Sequence, residues 1–111
     1  MQQRLTEQLG TLLSEITLPE EDPFLADLLW WKGEEVAVVE VSLQVNGNDV
    51  ARAALRAATL RRARARALAV VIGKEWATRE VGSQALARGV EWSVGGALSE
   101  GFLAFRRLPS T

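Results

Sequence analysis

Between residues 4 and 16 the apolar side chains Leu5, Leu9, Leu12, Leu13 and Ile16 recur at spacings of four, three, one and three, which predicts an amphipathic helix. Gly10 weakens that helix without forbidding it. Thr17–Pro23 (TLPEEDP) ends it, because two prolines and three consecutive acids cannot continue a helix. Two apolar runs follow, 25–31 (LADLLWW) and 36–43 (VAVVEVSL), with Lys32-Gly33-Glu34-Glu35 between them. This is the pattern of a β-hairpin. The second run is β-branched and nearly unbroken, as expected of a strand buried on both faces in the middle of a sheet. Only Glu40 and Ser42 interrupt it.

Asn46-Gly47-Asn48-Asp49 supplies a turn and an N-cap, with Asp49 the expected cap, and an Ala/Arg-rich helix is predicted from about Val50 to Ala67. Residues 68–72 (LAVVI) read as a second buried strand ended by Gly73. A further helix runs from about Thr78 to Arg88 with Gly89 at its C-terminus, residues 90–94 read as a short strand, and Gly95-Gly96 breaks it. Residues 101–108 (GFLAFRRL) read as a final strand or edge segment. The predicted order is α, β-hairpin, α, β, α, β, with room for one more strand, in a single α/β domain spanning 1–111. The strand–helix–strand unit from 36 to 72 is expected to be a right-handed crossover between parallel strands.

The chain of 111 residues has no histidine and no cysteine. That excludes Ser-His-Asp and Cys-His nucleophiles, disulfides, and zinc sites built on imidazole or thiolate. A metal, if bound, would be a hard cation held by oxygen, Mg²⁺ or Mn²⁺. No run approaches the roughly 18–20 apolar residues of a membrane span, and the N-terminal residues lack the basic start and apolar run of a signal peptide. A soluble cytoplasmic protein without membrane contact is the expectation. The formal charge of −1 hides an asymmetry: residues 1–50 hold ten acids against Arg4 and Lys32, while residues 51–111 hold eleven bases against Glu75, Glu80, Glu91 and Glu100. Opposite charges can meet on folding, or an acidic metal-binding edge can stand apart from a basic phosphate-binding one.

Glu40 and Ser42 lie two residues apart on a strand and share a face. With residues 32–35 as the loop, Trp31 pairs with Val36 and Asp27 comes opposite Glu40. A two-residue loop would set Asp27 opposite Val38, still on the face of Glu40. Two carboxylates gathered in an apolar hairpin repel one another and are costly to desolvate unless a cation or shared proton compensates. A magnesium site meets that need. So does a solvated face, or neutralisation by Arg52 and Arg56 of the following helix.

Asp27, twelve intervening residues, then Glu40-Val41-Ser42 at the end of a Val-rich strand, followed by a helix and the strand LAVVI, resembles the PD-(D/E)XK nuclease superfamily. The likeness is to members in which E-V-S precedes a D-V-x-R-A helix, which reads Asp49-Val50-Ala51-Arg52-Ala53 in this chain. It extends over about residues 5–94. The resemblance implies a restriction-endonuclease-like αβ(β)βαβ core, a mixed sheet flanked by helices, and Mg²⁺- or Mn²⁺-dependent phosphodiester hydrolysis. Asp27, Glu40 and the main-chain carbonyl of Val41 would be metal ligands, with an extra acid from Glu7 or Glu15. Ala26 stands where the family name has proline. Ser42 stands at the lysine position, and a serine hydroxyl can hydrogen-bond but carries no charge. Lys74, Arg52 or Arg56 can substitute for that cation, the metal can act without it, or the site can be inactive and the fold kept as a homodimeric interaction domain.

At about 100° per residue from Val50, Arg52, Arg56, Thr59, Arg62 and Arg66 fall within an arc of roughly 120°. Such a stripe can receive a DNA or RNA backbone or can be a solvated helix face. Trp30 and Trp31 must face opposite sides of their strand, one of them core. Trp76 and Trp92 read as core or interface, and four tryptophans in so small a domain suit a symmetric homodimer.

Overall fold

The computed structural model describes Gly10 and residues 18–110, so the helix expected over 4–16 falls outside the described residues apart from Gly10. The hairpin forms from β1 (Leu28–Lys32) and β2 (Glu35–Val45). Trp31 pairs with Val36, the register of the longer predicted loop, and Lys32 adds a pair with Glu35. The turn is thereby shortened to Gly33-Glu34, where Gly33 takes the left-handed conformation (φ 62°) that favours glycine. Continuing that register by one position sets Asp27 beside Glu40.

Helix α1 (Gly47–Arg62) leads to β3 (Arg66–Trp76), which runs parallel to β2. Helix α2 (Arg79–Ala87), β4 (Glu91–Val94), β5 (Ala97–Leu98) and α3 (Glu100–Arg106) complete the described chain. The sheet is mixed, in the order β1-β2-β3-β4-β5, with β3 and β4 parallel and the outer pairs antiparallel. Residues 101–108 are not the expected strand. Phe102, Phe105 and Leu108 recur at spacings of three, a helical period; α3 lays Phe102 and Phe105 on the sheet, and Leu108 packs beside them just past its end.

Predicted boundaries also move: β1 begins only at Leu28, β3 runs on past Gly73 to Trp76 instead of ending at that glycine, and both ends of α1 differ. Asn46, not Asp49, is the N-cap of α1. Its side-chain oxygen accepts from Asp49 N (3.0 Å) while the Asp49 carboxylate accepts from Asn46 N (2.9 Å), a reciprocal capping box. The helix ends at Arg62 rather than Ala67, because Arg64 adopts φ 69° and lets Ala65 N reach back to Leu60 O (3.0 Å) and Arg64 N to Arg61 O (2.9 Å). This is the Schellman geometry, usually marked by glycine. At the end of α2 the same geometry does use Gly89 (φ 69°), as predicted.

The sheet separates two apolar layers. On one face Val36, Val38, Ala69 and Val71 meet Val50, Ala53, Ala57 and Leu60 of α1 and Val81 and Ala85 of α2. Full burial of a side chain such as Leu60 contributes about 1.5–3 kcal/mol. Alanines at 53 and 57 let the helix approach the strands closely. The other face (Ala37, Val39, Val70, Trp30) is covered by Phe102 and Phe105 of α3, which meet Trp30 edge-on at 6.2 and 5.3 Å between ring centroids. Trp31 points the other way and is exposed, while Trp76 and Trp92 pack edge-to-face at 5.9 Å beside the first layer. Among the described residues no helix is long and apolar enough to cross a membrane.

Candidate functional site

Glu40 continues the Val36, Val38 alternation and so points from β2 into the layer beneath α1. The capping box fixes the start of that helix, and Arg52 and Arg56, one turn apart, come down over the strand. Glu40 Oε1 accepts from an Arg56 guanidinium nitrogen at 2.6 Å and from Arg52 Nε at 3.3 Å. Arg52 also binds Asp49, so two guanidinium groups and two carboxylates form one network. Glu40 and Arg56 are 4% and 6% exposed, which makes their pair a buried one. Glu40 Oε2 and Arg56 Nε have no hydrogen-bond partner among the described residues.

Asp27 is solvent-exposed, and its Oδ2 accepts the main-chain N–H of Val41 at 2.8 Å. That bond takes over where the β1–β2 ladder stops at Leu28 and Val39. The two acids of the resemblance are therefore sequence-register neighbours with different partners: Asp27 closes the hairpin, and Glu40 serves the α1 arginines. Val41, the expected carbonyl ligand, is exposed. The Ser42 hydroxyl donates to Gln44 O (2.9 Å) within its own strand. Lys74 lies exposed near the end of β3 and has no hydrogen bond or ion pair among the described residues. Glu7 and Glu15 lie outside the described residues.

Glu40 Oε1 is already shared by two guanidinium groups, so part of the charge that a divalent cation would supply comes from the chain itself. No group of three acidic side chains gathers among the described residues.

The arginine stripe is not a continuous exposed row. Arg56 is buried, Arg52 is tied to Glu40 and Asp49, and Arg62 faces Glu21 at 3.7 Å. Arg66 is not on the helix at all, because the helix stops at Arg62 and Arg66 opens β3.

One charged residue read as part of a turn has a different place. Lys32 is 7% exposed, and its Nζ donates to the carbonyls of Phe105, Arg106 and Leu108 at 3.1, 2.8 and 3.0 Å. It thus satisfies the end of α3, with the rings of Trp30 and Phe105 about 5 Å from its nitrogen. No local signal marks this role, since its partners lie more than seventy residues away. Compared with family models, with curated proteins and with solved structures, the chain matches none.

Proposed function

We infer that the protein is a non-hydrolytic interaction domain built on a restriction-endonuclease-like plan. Support for the plan comes from the hairpin carrying Asp27 and Glu40, the α1 connection and the parallel β3, in the order the resemblance implies. One observation carries the reading of function: the buried Glu40 carboxylate is held by Arg56 and Arg52, in the position where a nuclease of this plan would hold its metal. The absence of a motif lysine at Ser42 points the same way. On this reading the arginines replace the ion as the charge that lets Glu40 be buried.

Mg²⁺- or Mn²⁺-dependent hydrolysis of DNA or RNA is the reading this displaces, and the two differ in a simple measurement. Thermal melting of the full chain with and without millimolar Mg²⁺ or Mn²⁺ should show no stabilisation, and single- and double-stranded DNA and RNA should survive incubation with Mn²⁺. A metal-induced rise in Tm that disappears in Asp27→Ala, or cleavage that disappears in Glu40→Gln, would overturn the proposal.

A further inference from the structure

The opposite charges of the two halves of the sequence are only partly used within one molecule. Each of the four ion pairs among the described residues joins an acid from residues 1–50 to an arginine of α1. Of the charges left without an ion-pair partner among the described residues, two sets stand beside apolar surface. One is Glu20 and Asp22, which stand beside the exposed apolar side chains Phe24 (59%) and Leu25 (55%). The other is Arg61, Arg64 and Arg66, all exposed.

Arg61 and Arg66 rim a groove of about 540 Å³ whose apolar wall includes Leu68, Phe105 and Leu108, with Glu35 as its one acid. The groove is therefore apolar with a net positive rim. It complements a segment that is apolar with a net negative rim. The same molecule does not bring them together, because they flank α1 on opposite sides. Thr59 donates to Glu21 O at 2.6 Å and Arg62 pairs with Glu21, which anchors the acidic segment along one flank, while Arg61 Nε donates to Ala67 O at 3.0 Å on the other.

We propose that a second copy of this chain supplies the missing partner: Glu20–Leu25 of each copy docks in the Arg61/Arg66 groove of the other. A two-fold arrangement would make both contacts at once, since an isologous interface pairs each patch with its complement on the other copy. Phe24 and Leu25 would supply the desolvated centre, and the acids and arginines the orientation and salt sensitivity. The inference rests on reading the domain as an interaction module.

Sedimentation velocity of the full chain tests it. The wild type should be dimeric at high micromolar concentration and weaken in near-molar salt. Glu20→Arg and, separately, Arg61→Glu/Arg66→Glu should each raise the dissociation constant about tenfold or more with unchanged circular dichroism. An equimolar mixture of the two variants should restore a dimer, because each reversed charge then faces its opposite. A wild type that stays monomeric, its groove empty or filled by its own residues 1–17, overturns the proposal. So does a dimer indifferent to both variants, or a loss that mixing does not restore. Such a dimer would leave the non-hydrolytic reading intact, whereas Mn²⁺-dependent cleavage would overturn that reading without touching the charge-swap result.

Discussion

Glu40 shows how a single residue's environment changes its chemical meaning. In the sequence it is an acid interrupting a valine run, equally ready to bind a cation from solution or from its own chain. In the fold its Oε1 is committed to Arg56 and Arg52. Buried pairs of this kind are costly to break and cheap to replace, because removing one partner leaves the other charge uncompensated. Because Arg52 stays on the same Glu40 oxygen, Arg56→Met should cost less than the about 3–5 kcal/mol of a fully broken buried pair in urea denaturation, and Glu40→Leu/Arg56→Met should recover most of that loss. A double variant as unstable as the single one would show that Arg56 acts through its bond to Pro19 O rather than through Glu40. Arg64 offers a second test at this scale. A non-glycine residue in the left-handed region is strained by roughly 1 kcal/mol, so Arg64→Gly should raise stability by up to about that amount.

At the scale of elements, β1 to β4 and the two longer helices follow from local pattern, while β5 and α3 do not. The valine run forms β2, LAVVI lies within β3, and Gly89 ends α2 as its type predicts. The end of α1 was hidden because an arginine takes the glycine position. The eight residues of the terminal segment satisfy both a short strand and a helical period, and the deciding partner, the Trp30 face of the sheet, is distant in sequence. Lys32 fastens α3 by its last carbonyls. Replacing it by Met keeps the apolar stem and removes the donors, which should cost about 1.5–3 kcal/mol. Amide exchange should then accelerate first in Glu100–Arg106. Uniform acceleration across the sheet would show that Lys32 supports the hairpin instead.

For the whole molecule, charge distribution and topology act together. The acidic and basic halves meet along α1, which uses Arg52, Arg56 and Arg62 to hold Glu40, Asp49 and Glu21. The arginines beyond the end of α1 remain at the surface and rim the groove on which the dimer proposal stands. While the choice between two hairpin registers fell to the structure, the sequence by itself determined the α/β class, the hairpin, the parallel β3 and the shared face of Asp27 and Glu40. Those rest on periodicity, turn residues and strand alternation, which are local properties of the backbone. Only the tertiary structure decided which of several nearby cations neutralises Glu40, where Lys32 is buried and what α3 covers. Each depends on groups far apart in the chain whose competition is resolved by packing and desolvation, and neither leaves a mark on residue order.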